Sequence, residues 1–337
     1  MDSIDHRLIH ALHLDGRAPF SRIADVLGVS DQTVARRYRR LRQEGALRVV
    51  GRLDARRLGH VEWAIRLQCV PGTSSAVAEA LAKRGDTSWV RLASGGTEVV
   101  CLVRTSSDEE RDVLLLDKLP ATRPVAGIKA HCLLRSFWGG QTGWSAVTSG
   151  LSESEAAALR PERDQQAPEH DSAAHAAQRP ITPDAGDRVL LAELAGDGRV
   201  SNAQLAAATG WHEATVRRRI EALRDAGALY FDLDIDSRAL GYACTAMLWI
   251  TVEPSSLSAA GQALARHPEI TFAAATTGPT NLLGTVVCTD VYALYDYVAD
   301  QAGRLPGVRE IESAPIIRTV KRTGLLPPAA RPHRARA

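Results

Sequence analysis

The chain has 337 residues, enough for several domains of ordinary size, and its 45% hydrophobic and 24% charged side chains are those of a soluble globular protein. A net charge of +2 excludes a polyanion binder by bulk composition, so any basic surface is local; 5% aromatic residues argues against stacking platforms for single-stranded nucleic acid. Five scattered cysteines (Cys69, Cys101, Cys132, Cys244, Cys288) form no CxxC pair, and four lie in apolar runs, as buried thiols of a reducing compartment do. The N-terminus has no apolar signal core and no run approaches the ~18 apolar residues that cross a bilayer, so a cytoplasmic location is expected, with no membrane partner.

Within residues 1–59 the apolar pattern is helical and twice interrupted. Ile4, Leu8, Ile9 and Leu12 form one stripe, stopped by Asp15-Gly16, and Ile23, Ala24 and Leu27 form a short second one, stopped by Gly28. Ser30 is a good N-cap for a third helix carrying Val34, Tyr38 and Leu41; Gly45 ends it, and Leu47–Leu53 reads as a short strand. Three short helices with a tight turn before the third, then a strand, are the winged helix-turn-helix pattern. From Trp63 the period changes to the alternation of a half-buried strand. A helix over 74–84, a strand over 89–93, the Ser94-Gly95-Gly96-Thr97 turn into Val99–Val103, a helix over 109–119 and a strand near 128–137 complete β-α-β-β-α-β, the ferredoxin-like order.

Residues 150–183 are rich in Ser, Glu, Ala, Pro, Gln and His; we read Glu153–Leu159 as a turn or two of helix and 160–183 as flexible linker. His170 and His175 there read as solvated residues, not a metal site. Then the whole pattern returns. Asp15-Gly16-Arg17 recurs as Asp197-Gly198-Arg199, Ala24 as Ala206, Gly28 as Gly210, Thr33-Val34 as Thr215-Val216, Arg36-Arg37 as Arg218-Arg219, and Leu58-Gly59 as Leu240-Gly241, all at an offset of 182. Strands over 245–252, 270–276, 282–288 and 311–320 alternate with helices over 256–266 and 292–302, and Val125, Ile128 and Arg135 recur as Val308, Ile311 and Arg318 at an offset of 183. So long a period marks a duplicated domain pair. The expected fold is therefore α+β: two winged helix-turn-helix units (1–59 and 184–241), each followed by a ferredoxin-like βαββαβ domain (60–149 and 242–325), with a linker (150–183) and a disordered basic tail (326–337).

The sharpest chemical signal is Arg36-Arg37-Tyr38-Arg39-Arg40-Leu41-Arg42 on the third helix. With Val34, Tyr38 and Leu41 facing the core, Arg36, Arg37 and Arg40 project outward or flank that stripe, where guanidinium groups meet phosphates or guanine edges of duplex DNA. Ser30, Asp31, Gln32 and Thr33 open the helix and are placed to reach base edges. The second copy offers Thr215, Arg217, Arg218 and Arg219. Residues 1–59 hold 12 Arg against 7 acids (+5) and residues 184–241 hold 7 Arg against 10 acids (−3), so the first unit is expected to supply most DNA affinity. No Gly-rich phosphate loop precedes a helix, and no HExxH or Cys/His ligand spacing is present, so neither catalytic residues nor a cofactor or metal is assigned.

On Asp5, Asp15-Gly16-Arg17, Ile23-Ala24, Leu27-Gly28-Val29-Ser30, Arg36-Arg37, Leu41, Gly45 and Leu58-Gly59, the chain resembles the Lrp/AsnC (leucine-responsive, feast/famine) transcriptional regulators in a tandem form. The resemblance implies a DNA-binding regulator whose sheet domains self-associate and sense an amino acid or similar small effector. It also implies that the turn between the middle strands, a Gly-x-x-Asp element in that family, contributes to the effector site. Here that turn reads Gly95 to Glu98 in the first copy and, after Thr277, Gly278 to Asn281 in the second; the same residues could equally be plain hairpin turns. Two assemblies are open, an intramolecular pseudo-dimer and pairing of like units between chains. The rival function is a metabolite-sensing or heme-pathway, enzyme-like protein that keeps the helix-turn-helix as scaffold.

Overall fold

A computed structural model describes residues 1–138, 150–160 and 180–322. Helices α1 (Ser3–Leu14), α2 (Phe20–Leu27) and α3 (Asp31–Gln43) are followed by strand β1 (Leu47–Leu53). The stops read from the sequence operate locally: Gly28 closes α2 at φ 69°, where a Cβ would be strained, and the Ser30 side chain accepts the Thr33 N–H to cap α3. Leu8, Ile9, Leu12, Ile23, Leu27, Val34, Tyr38 and Leu41 make one buried core. The second copy repeats it with α7 (Ala185–Gly196), α8 (Asn202–Thr209), α9 (Glu213–Asp225) and β6 (Leu229–Ile235) around Leu190, Leu194, Leu205, Val216, Ile220 and Leu223. Between them in sequence, α6 (Glu153–Leu159) packs on α1 and α2, burying Leu159 completely in the first core. It is held there by the Leu151 N–H donating to His10 Nδ1 (3.0 Å) and by the Arg7–Glu155 ion pair (2.6 Å). The turn-or-two of helix is thus a docked element, and the flexible-linker reading is corrected for 180–183 as well: Ile181 donates its N–H to the Arg57 carbonyl (2.7 Å) and packs on the second core. The rest of the proposed linker, 161–179, and the tail, 326–337, lie outside the described residues.

The first sheet domain runs β2 (Val61–Cys69), α4 (Ser74–Ala82), β3 (Thr87–Ala93), β4 (Glu98–Thr105), α5 (Asp108–Asp112, continuing as a π-helical turn Val113–Lys118) and β5 (Val125–Trp138). The second runs β7 (Cys244–Val252), α10 (Leu257–Ala265), β8 (Ile270–Thr276), β9 (Leu282–Cys288), α11 (Val291–Asp296, continuing as a π-helical turn Tyr297–Gln301) and β10 (Val308–Thr319). Each sheet buries one face under its own helices. The other faces meet: the strands form one closed barrel in the order β10-β3-β4-β2-β5-β8-β9-β7, with the seams β5–β8 and β10–β3 joining the copies. Closure leaves neither sheet an open edge. Ala64, Ala93, Val100, Met247, Trp249, Leu283 and Ala314 fill its interior.

The copies are related by an approximate two-fold axis that the strand register locates. β1 pairs antiparallel with β6 from Leu47↔Ile235 to Leu53↔Leu229, centred on Val50↔Asp232, positions that are themselves mates at the repeat offset of 182. The barrel seams obey the same symmetry, since Leu133↔Thr276 and Ile316↔Ala93 exchange under the offset of 183. Of the two assemblies left open by the sequence, this chain adopts the intramolecular pseudo-dimer.

Candidate nucleic-acid interface

The repeated Asp-Gly-Arg motif forms the seam between the two helix-turn-helix heads. Arg17 donates to the carbonyls of Gly198 (2.8 Å) and Val200 (3.2 Å), and Arg199 donates back to those of Gly16 (2.6 Å) and Ala18 (2.8 Å). Arg199 also lies over the Phe20 ring (4.2 Å) and Arg17 over Phe231 (5.5 Å), so each guanidinium is satisfied by carbonyls and rings instead of a carboxylate. Burial lowers the pKa of both arginines from its usual value. Glycine is required here by contact: a Cβ at Gly198 would stand 3.0 Å from the backbone N and C of Val50, and one at Gly16 would stand 2.9 Å from Val49 Cγ1.

Helices α3 and α9 are mates under this axis, and a second repeated device fixes each one's angle. Asp2 and Asp5 form a capping box on α1, as Asp184 and Asp187 do on α7. The second carboxylate of each box is buried, Asp5 at 1% and Asp187 at 0% exposure. Arg37 reaches back to Asp5 (2.9 Å) and Asp2 (2.6 Å); Arg219 reaches Asp187 through Nε (2.6 Å). The Arg219 bond is the first cause that lowers the Asp187 carboxyl pKa, and the same bond raises that of Arg219. Arg37 and Arg219, grouped in the sequence reading with the phosphate-facing arginines, are therefore ties between the first and third helices. Arg40 stays exposed but also pairs with Asp5 (2.5 Å). The reason is geometric: Arg37 and Arg219 flank the buried stripe on the side where α1 or α7 lies, a distinction that helical spacing alone does not make.

The remaining basic residues do face out. Arg36, Arg39, Arg217 and Arg218 are exposed and make no ion pair among the described residues. Asp31 and Gln32 are exposed at the start of α3, while Ser30 and Thr33 are partly engaged in the cap, with their hydroxyls 2.9 Å apart. Phe20, Ser30, Asp31, Gln32, Thr33, Ala35, Arg36 and Arg39 line one shallow concavity of about 530 Å³. Arg39, one turn beyond Arg36 on the same face, was missed as a site residue although the i, i+3 spacing could have found it. In the second copy Thr215 is half-buried near the start of α9, and His212 occupies the cap position without a side-chain cap bond.

The turn residues named for an effector are occupied by the fold. Glu98 is 4% exposed; its Oε1 accepts from Arg66 Nε (2.6 Å) and its Oε2 from Ser94 Oγ (2.9 Å). Arg66 crosses the barrel to Glu312 (2.9 Å) and lies over the Trp249 ring (4.5 Å). Asn281 accepts from the Val252 N–H and donates to its carbonyl, both at 2.8 Å, sealing β7 to the turn. Gly278 (φ 101°) packs on buried His131, whose Nδ1 lies 2.8 Å from the Thr277 carbonyl oxygen, and the Thr277 hydroxyl accepts the Cys132 N–H (2.9 Å). Gly95, at φ 68°, has open space beside its Cα. Both side chains at the position of the family's acid, Glu98 and Asn281, thus have intramolecular partners.

Residues 1–42 and 184–224 match the AsnC-type helix-turn-helix domain, and residues 245–326 match the Lrp/AsnC ligand binding domain. The chain is 30% identical over 142 residues to the HTH-type transcriptional regulator FL11 of Pyrococcus horikoshii, covering 42% of this chain and 93% of that one. It is 28% identical over 142 residues to the regulator of the same name from Pyrococcus furiosus, again covering 42% and 93%. A relative of this kind therefore corresponds to one of the two copies. Over its whole length the fold is similar to the crystal structure of the siroheme decarboxylase NirDL, with a TM-score of 0.63, 13% identity, and coverage of 94% of this chain and 92% of that one. With its two AsnC-type heads and its matched sheet domain, the chain belongs to the Lrp/AsnC family.

Proposed function

We propose that this protein is a cytoplasmic, sequence-specific regulator of transcription that binds double-stranded DNA as the one-chain equivalent of a dimer. The observation that carries this reading is the pair of helices α3 and α9, related by a two-fold axis, each with two exposed arginines that make no ion pair among the described residues. A two-fold arrangement of recognition helices suits half-sites one helical turn apart, about 34 Å. The helices are not copies in their outward residues: Asp31, Gln32, Ala35 and Arg39 correspond to Glu213, Ala214, Arg217 and Glu221. We therefore propose an operator of two unlike half-sites, the first read by Asp31, Gln32, Arg36 and Arg39 and the second by Thr215, Arg217 and Arg218. Selection of bound duplexes from a random pool tests this; an unlike pair of half-sites is expected, and a perfect palindrome contradicts it.

An amino-acid-like effector is proposed at the turns around Gly95 and around Thr277-Gly278, supported by the match to a ligand binding domain. Because Glu98 and Asn281 are engaged, recognition there would run through backbone groups. A thermal-shift screen of amino acids tests it, and no shift with any of them at millimolar concentration contradicts it. The tetrapyrrole-enzyme alternative rests on shared fold, and a fold does not carry an activity with it.

A further inference from the structure

At the paired strands and inside the barrel the duplicated halves differ, and the differences are complementary. In β1 and β6, Arg48 faces Asp234 and ion-pairs with it (2.9 Å). Arg52 faces Tyr230, lies 5.9 Å from its ring, and ion-pairs with Asp232 (3.1 Å). The same register applied to two copies of the first unit would set Arg48 opposite Arg52, twice. Applied to two copies of the second, it would set Asp232 opposite Asp232. Like charges directly opposite on neighbouring strands are destabilising.

The barrel repeats the logic. The symmetry mate of Arg66 is Trp249, and the two lie on each other at 4.5 Å. The mate of Glu312, which Arg66 reaches across the barrel, is Lys129. Two first units would therefore bring Arg66 against a second Arg66 with Lys129 where Glu312 now stands, inside a barrel where the Arg66 side chain is only 8% exposed. Each Arg66 would keep Glu98 but lose Glu312 and meet a like charge, and like charges held close in a buried site are costly.

We propose that these side chains make the two units recognise each other and reject themselves. The partner that fits the inner face of either unit is the other unit. The +5 and −3 charges of the two heads are then in part a pairing code, set by Arg48, Arg52, Asp232 and Asp234, in addition to any effect on DNA. The inference does not depend on DNA binding. In a homodimer of either unit an Arg–Trp stack between symmetry mates could not exist, because one residue type occupies both positions; duplication within one chain permits it.

The test uses the whole chain carrying a protease site within residues 161–179. One preparation has a tag on the first unit; the other is untagged, with isotope-labelled protein. Both are cleaved, mixed, and held in sub-denaturing urea until labelled second unit has exchanged onto tagged first unit. Capture through the tag is expected to retrieve at least about ten second units for each untagged first unit. Capture of first and second units in near-equal amounts overturns the proposal. A companion cycle on the intact chain keeps it falsifiable if the cleaved pieces fail: Arg52→Asp and Asp232→Arg should each lower the urea midpoint, and the two together should recover most of the loss. Losses that simply add overturn it.

Discussion

Replacing Arg219 with alanine, beside Arg37→Ala and Arg218→Ala, separates the arginines that hold the recognition helices from those that present to a ligand. Asp187 is wholly buried, and Arg219 is its one ion-pair partner among the described residues. Removing one member of a buried pair costs roughly 3–5 kcal/mol. The Arg219 side chain is 36% exposed, so water partly replaces it, and we expect about 3 kcal/mol. In the first copy Asp5 keeps Arg40 when Arg37 is lost, because the position matching Arg40 is Ala222 in the second. Arg37→Ala should therefore cost about 1–2 kcal/mol. Arg218 is exposed and makes no ion pair among the described residues, so its removal should change stability by about 0.5 kcal/mol or less. Urea unfolding followed by helical circular dichroism measures all three. With a slope of about 2 kcal/mol per molar urea, the Arg219 variant's midpoint should fall by about 1.5 M. An Arg219 loss no larger than that of Arg37, or an Arg218 loss matching either, refutes the assignment.

Acid should weaken the first head selectively. Burial pulls the pKa of both His10 and His13 down to about 4 from 6.5. The unfolded chain takes up these protons first, so stability that is full above pH 6.5 is lost as the pH falls towards 4, by about 2 kcal/mol per histidine at pH 5. Protonation also removes the acceptor for the Leu151 N–H and should release α6; unchanged melting between pH 7 and pH 5 contradicts this. Gly198→Ala presses a methyl group on the Val50 backbone and should cost about 1–3 kcal/mol in urea unfolding, whereas a neutral result would mean the seam is loose. Asn281→Asp restores the family's acid but sets a carboxylate against the Val252 carbonyl. We expect a loss of about 1–2 kcal/mol; equal or greater stability would show that the amide does not seal β7.

Local structure was readable because it is written in local chemistry. Gly28, Ser30 and the Val34-Tyr38-Leu41 stripe mark the ends and inner face of α3 without any tertiary information, and the alternation after Trp63 marks β2. The axis was legible only as a repeat. That Asp15-Gly16-Arg17 and its copy form the seam could not be read, because each arginine bonds carbonyls some 180 residues away. The roles within the arginine run divided the same way. Helical spacing finds the outward face, but only the position of α1 tells that Arg37 turns back to Asp5. Glu98 and Asn281 looked like variants of a ligand-binding acid, and their partners, Arg66 and Val252, come from a different strand in each case.

The salt dependence of duplex binding by the intact chain tests the central claim most directly. Four outward arginines imply that log affinity falls with log salt at a slope of about −3.6, shrinking by about 2 when Arg36 and Arg218 are both replaced by alanine. A chain with no salt-sensitive affinity for any double-stranded DNA, or one whose slope ignores those two residues, contradicts it.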